Sequence, residues 1–132
     1  MRQILIFAYA IVAMACGSDA IFRQSGAAGL FKATNCGQVF YIAIDDPDMA
    51  LIAEAQINTS NPLVLNGPVI SGDGEFNHPW SWHLDPTDIS FDEVTIELCD
   101  GCPQAIEDDV TTWIATVERF CPWSGRILER VG

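Results

Sequence analysis

Apolar positions fall along this chain in three patterns, and each predicts an element. Val39 to Ile44 (VFYIAI) is β-branched and aromatic without a polar alternate, the pattern of a strand buried on both faces. From Phe91 to Cys99, Val94, Ile96 and Leu98 alternate with Glu93, Thr95 and Glu97. That alternation predicts a strand with one buried and one wet face. After Cys102-Pro103, Ile106, Val110, Trp113, Ile114 and Val117 recur at helical spacing, which predicts a helix ended by Phe120-Cys121-Pro122.

Weaker signals fill the gaps. Gly29 to Thr34 reads as a short strand with Phe31 toward the core, and Asn35-Cys36-Gly37 as the turn that makes a hairpin with Val39–Ile44. Asp46 is the expected N-cap, and Pro47 the first-turn residue, of a helix reaching Gln56 with Leu51, Ile52 and Ala55 inward. Asn61-Pro62 breaks it. Leu63 to Ile70 reads as a strand whose internal Gly67-Pro68 makes it an edge or a bulged strand. Trp80 to Leu84 and Arg126 to Val131 complete the set, with an acidic loop at Ser71–Glu75 and a turn at Asp85–Asp88. The order ββαβββαβ predicts an α+β domain: a largely antiparallel sheet of about five to six strands with two helices on one face.

The N-terminus changes the setting. Arg2, the apolar run Ile4 to Ala15 and the small residues Ala15-Cys16-Gly17-Ser18 read as an export signal over residues 1–20, too short for a membrane span. Ala13-Met14-Ala15 fits one cut and Ala20 another; a lipoprotein cut before Cys16 would leave the chain lipid-anchored. The body, 21–132, is one domain by size, led by a loose Ser/Gly/Ala arm at 21–28. No internal repeat is visible.

Export implies an oxidising compartment, so Cys36, Cys99, Cys102 and Cys121 predict two disulfides, with three pairings open. The competing reading is a redox Cys99-Asp100-Gly101-Cys102 motif. Only 30 residues follow Cys102, too few for the rest of a thioredoxin-like fold, and Asp100 would oppose a thiolate.

The net charge of −12 repels phosphate backbones and anionic membranes, so neither nucleic acid nor membrane insertion is expected. It suits cations or basic partners, and solubility alone also accounts for it.

Candidate chemistry is sparse. His83 and Asp85 share strand parity and could hydrogen-bond, as a turn-fixing pair or as the acid–base pair of a hydrolase with Ser81 or a bound metal. His78 has the opposite parity. Ser81 and Ser124 are nucleophiles by type only, outside any Gly-x-Ser-x-Gly elbow. Trp80, Trp82 and Trp123 are candidates for a carbohydrate or peptide surface, with core packing the simpler role for the first two and for Trp113. The acidic clusters at 45–48, 73–75, 85–92 and 107–109 lack EF-hand spacing, which leaves weak calcium binding as the only cofactor to consider and no metal site to assign. Asn58-Thr59-Ser60 is a glycosylation sequon in a predicted loop.

Three runs carry a resemblance: His78-Pro79-Trp80-Ser81-Trp82-His83-Leu84-Asp85-Pro86, Thr95-Ile96-Glu97-Leu98-Cys99-Asp100 and Phe120-Cys121-Pro122-Trp123-Ser124. Together with the Asp46-Pro47 helix start, they resemble the small secreted proteins related to the N-terminal domain of a calmodulin-binding protein, over roughly residues 29 to 128. The resemblance implies a Cys99–Cys121 bond, because both fall in its motifs, with Cys36–Cys102 as an added pair. It implies no activity, and an exported protein would not normally meet cytosolic calmodulin.

The resulting expectation is a secreted, disulfide-stabilised, non-enzymatic interaction module with a protein or carbohydrate partner. Protease inhibition through loops 57–62 and 71–79 is one version. A hydrolase using His83 and Asp85, or calcium-linked binding, are the alternatives.

Overall fold

Cys36 and Gly37, both in the left-handed region (φ 54° and 71°), turn the chain back on itself in the two-residue form that matches strand twist. The computed structural model describes residues 27–132, so the leader, its cut sites, Cys16 and most of the leading arm lie outside the described residues. In chain order the elements are β1 (Gly29–Asn35), β2 (Gln38–Ile44), α1 (Pro47–Ala55), β3 (Val64–Ser71), β4 (Trp82–Leu84) and β5 (Ser90–Asp92). A 3₁₀ turn (Glu97–Cys99), α2 (Pro103–Asp108), α3 (Val110–Thr112), a π-helical turn (Trp113–Val117), β6 (Arg119–Phe120) and β7 (Arg126–Arg130) follow.

The fold is α+β, but its strands form two antiparallel sheets of three and four strands rather than one sheet of five to six. The first has the order β2-β1-β7, with β1 and β2 in register from Gly29↔Ile44 to Asn35↔Gln38. The second is built on β3, which pairs in turn with β5 (Leu65↔Phe91), β6 (Gly67↔Phe120) and β4 (Val69↔Leu84). Gly67-Pro68 therefore sits in the middle of a shared strand, not on an edge. Pro68 is tolerated because it lies opposite the break between β4 and β5, where only its carbonyl is used: it accepts the Asp85 N–H at 2.9 Å. A Cβ on Gly67 would come within 2.8 Å of Ile89, so the position also demands a missing side chain.

Phe40 of β2, Trp82 of β4 and Phe120 of β6 join the two sheets. Their rings lie 5.9, 5.7 and 5.7 Å apart, centroid to centroid, and all three are fully buried. Tilted and edge-to-face contacts of this kind add to the burial of large apolar area. Trp80 and Trp113 extend the cluster at 6.0 and 6.2 Å.

Helix α1 starts as its sequence predicts, with Asp46 Oδ1 capping the Asp48 N–H and Pro47 in the first turn. Its inward face does not follow the prediction. Leu51, Ile52 and Ala55 are exposed, and Ala50 and Ala53 are buried. The helix lies so close to β1 that a Cβ on Gly29 would touch the Ala50 methyl at 3.4 Å, and only small residues fit there.

The second predicted helix breaks at Asp109 (φ −154°), whose carboxylate instead caps the Thr112 N–H. Hydrogen bonds from Thr112 hold that carboxyl below its ordinary value. The chain then widens into the π-helical turn, closed by Glu118 N–H to Trp113 O at 2.7 Å, and Phe120 belongs to a strand rather than a helix end.

The largest departure is at Phe91–Cys99. Pairing stops at Asp92, and Val94, Ile96 and Leu98 are 80%, 68% and 60% exposed. The alternating pattern is present, but no neighbouring strand or helix covers its apolar side among the described residues.

Candidate functional site

The exposed segment is held at both ends. At its start, Asp92 accepts hydrogen bonds from Asn66 Nδ2 (3.1 Å) and Ser90 Oγ (3.2 Å). At its end, Cys99 bonds Cys121, and the Cys121 N–H donates to Cys99 O at 2.8 Å. Beyond Cys99 the chain stays fastened. Asp100 accepts the Trp123 N–H, Gly101 O accepts from Asn35 Nδ2, Cys102 bonds Cys36 at the hairpin turn, and Gln38 Oε1 accepts the Gln104 N–H. Only residues 93–98 lie between these anchors.

Behind this segment runs a groove of about 360 Å³. Asn66 of β3 forms part of its floor, Val94, Thr95 and Ile96 one wall, and Val117, Glu118 and Arg119 the other. Arg119 is already committed: Nε donates to Asn66 Oδ1 at 2.6 Å and Nη1 to Asp88 at 2.8 Å. Glu118 holds a left-handed backbone (φ 70°) and keeps an exposed side chain. Thr95 Oγ1 is enclosed and has no hydrogen-bond partner among the described residues. The lining thus combines aliphatic Val94, Ile96 and Val117 with the carboxylates of Asp92 and Glu118, a mixture suited to non-covalent binding.

The residues singled out from sequence are placed differently. His83 and Asp85 do not hydrogen-bond to each other. His83 Nδ1 faces Gly72 O at 2.7 Å and its ring packs edge-to-face on Phe76; Asp85 Oδ1 accepts from Thr87 N and Oγ1. Strand pairing stops at Leu84, so Asp85 turns into its own loop and the parity argument fails there. Ser81 donates both N–H and Oγ–H to Glu107 at 2.8 Å and makes no hydrogen bond to His83. Among the described residues no three His, Cys, Asp or Glu side chains converge as metal ligands.

Trp82 is inaccessible, Trp80 is half-buried with Nε1 bonded to Val39 O, and only Trp123 is exposed, at 44%. The three therefore form no common platform. Asn58 is exposed, in the left-handed turn after α1 (φ 59°). Loop 57–62 is tied by the Gln56 side chain, which bridges Ile52 O and the Leu63 N–H, and by Arg126 to Thr59 O.

The family model described as the BP-74 N-terminal domain matches residues 27–132, every residue described. The chain belongs to that family. Comparison with curated proteins and with solved structures gave no match.

In this member of the family, the tryptophan-rich run 78–86 serves the fold. It is introduced by Asn77, which is fully buried and was not singled out from sequence. Its Oδ1 accepts the Tyr41 N–H at 2.8 Å and its Nδ2 donates to Trp82 O at 2.7 Å. With Trp80 Nε1 on Val39 O, these side chains occupy the outer edge of β2, which would otherwise present unpaired backbone groups. Sequence reasoning also missed Asn66 and Arg119, and it placed Asp88 only in an acidic turn, without its pairing to Arg119. One signal at the groove was available: Cys99 shares parity with Glu93, Thr95 and Glu97, so a buried disulfide cysteine fell on the face predicted to be wet.

Proposed function

We propose that this chain is a non-enzymatic binding module of an oxidising, extracytoplasmic setting, and that its contact surface is the segment Val94–Leu98 with the groove behind it. The observation that carries the reading is three large aliphatic side chains held out to solvent between two fixed points, Asp92 and Cys99. Exposed apolar clusters rimmed by polar groups are typical of interaction sites. Anchoring at both ends reduces the ordering cost of binding. The two disulfides are compatible with secretion, and no helix among the described residues is long and apolar enough to cross a membrane.

The test is a variant with Val94, Ile96 and Leu98 all changed to Ser. It is expected to fold with both disulfides intact and to lose the proteins that the parent chain retains from its native surroundings. Retention of the same proteins by the variant would contradict the reading. Protease inhibition is a finer version of it, through loops 57–62 and 71–79. The fastening of those loops through Gln56 and Asn77 supports a rigid contact surface. Rapid cleavage of both loops without inhibition would remove that version.

A further inference from the structure

We infer that the groove between residues 94–96 and 117–119 docks a basic, aliphatic-bearing segment of a protein partner. The inference rests on the binding-module reading above and adds the chemistry of the partner.

Two independent features choose that occupant. The first is charge. Asp92 and Glu118 line the groove, Glu93 and Glu97 adjoin its lining residues in sequence, and all but half-buried Asp92 are exposed. The one cation in the lining, Arg119, is paired with Asp88 and bonded to Asn66. The remaining cations among the described residues, Lys32, Arg126 and Arg130, belong to the β2-β1-β7 sheet. The groove is therefore locally anionic on a chain whose net charge is −12. Such a field draws in cations and rejects acidic segments.

The second feature is shape. Val94, Ile96 and Val117 offer aliphatic contact along the groove, and the carboxylates lie beside them. A purely cationic ligand would leave that apolar area in water, and a purely apolar one would bring no partner to the Glu118 carboxylate. A segment that alternates Lys or Arg with aliphatic residues satisfies both walls.

The probe is a synthetic twelve-residue peptide of alternating Lys and Leu, titrated against the oxidised protein by fluorescence anisotropy. A Lys/Ser peptide of equal charge and a Glu/Leu peptide are the controls. The Lys/Leu peptide is expected to bind, and the Val94→Ser/Ile96→Ser variant to weaken it by about tenfold or more. Both side chains are largely exposed, so that variant keeps its melting temperature. Glu118→Gln is expected to weaken binding about threefold and to flatten its salt dependence.

Equal binding of the Lys/Ser peptide, or no effect of Val94→Ser/Ile96→Ser, would reduce the interaction to bulk charge and overturn the inference. Equal binding of the Glu/Leu peptide, or binding of no peptide, would overturn it as well. So would a concentration-dependent dimer that Val94→Ser/Ile96→Ser abolishes, which gives the groove to a second copy. If no peptide binds but native proteins are still lost by the triple Ser variant, the partner chemistry is wrong and the binding surface stands.

Discussion

Asn77 and Tyr41 are joined by a 2.8 Å hydrogen bond from the Tyr41 N–H to Asn77 Oδ1, and that bond closes the edge of β2. A side chain from the 71–79 loop stands where the next strand would pair. The same amide reaches Trp82 O, so one buried residue links β2 to β4. The tryptophan-rich run is thereby explained as architecture.

Asn77→Ala removes both bonds and leaves a part-buried N–H and a buried carbonyl unpaired. It is expected to cost about 3 kcal/mol in urea or guanidinium unfolding, and to promote self-association through the freed edge. A loss below about 0.5 kcal/mol would mean that water or a neighbouring group replaces the amide.

The two disulfides close loops of different length, with separations of 22 for Cys99–Cys121 and 66 for Cys36–Cys102. On chain entropy the first contributes about 3 kcal/mol and the second about 4. Paired Cys→Ser variants measured by denaturant unfolding are expected to show that order. Only the Cys99/Cys121 variant is expected to open residues 93–98 to limited proteolysis.

Asp45 has an enclosed Oδ1 without a partner among the described residues. Burial, and secondarily the charge of Asp85, hold its carboxyl above the ordinary value. The ionised form is thus disfavoured in the folded state; the penalty is present at neutral pH and is relieved as pH falls through the raised value. Asp45→Asn is expected to be more stable than the parent near about pH 7, with the difference vanishing toward about pH 3. A difference independent of pH would assign the effect to packing.

His83 holds Gly72 O and packs on Phe76. His83→Ala is expected to lower stability by about 1 kcal/mol, and neither it nor the parent is expected to turn over ester or peptide substrates. Substrate turnover by the parent that is lost in a still-folded His83→Ala would establish the hydrolase alternative.

The acidic clusters are spread over caps and turns. Asp46 caps α1, Asp109 caps α3, and Asp85 is satisfied by Thr87. Calcium at about 5 mM is expected to leave the melting temperature unchanged within about 1 °C, read by scanning calorimetry. A larger rise would restore calcium-linked binding.

What was legible in the sequence was local. The hairpin around Cys36-Gly37 and the cap at Asp46-Pro47 follow from turn and helix-start chemistry, and both appear in place. What misled was periodicity read without its partners. Leu51 and Ile52 look inward by hydrophobicity, but helix-to-strand distance admits only Ala50 and Ala53. Val94, Ile96 and Leu98 alternate correctly for a half-buried strand, yet nothing among the described residues covers them. The second helix has the right apolar stripe, but Asp109 favours capping and Trp113 is drawn toward Phe120. The exposed surface was thus visible as a pattern and mistaken for core. Asn77 and the Arg119–Asp88–Asn66 set were not visible, because long-range pairing of polar side chains leaves no local signature.

Site-specific photo-crosslinking reads the surface itself. A crosslinking residue replaces Ile96 in the oxidised protein, and another replaces Leu51 on the similarly exposed face of α1, each in the chain's native surroundings. Covalent partner adducts are expected from position 96 and not from 51, and they should disappear when Val94→Ser and Leu98→Ser are added. Adducts from position 51 alone, or adducts from 96 that survive those substitutions, would contradict a binding role for Val94–Leu98.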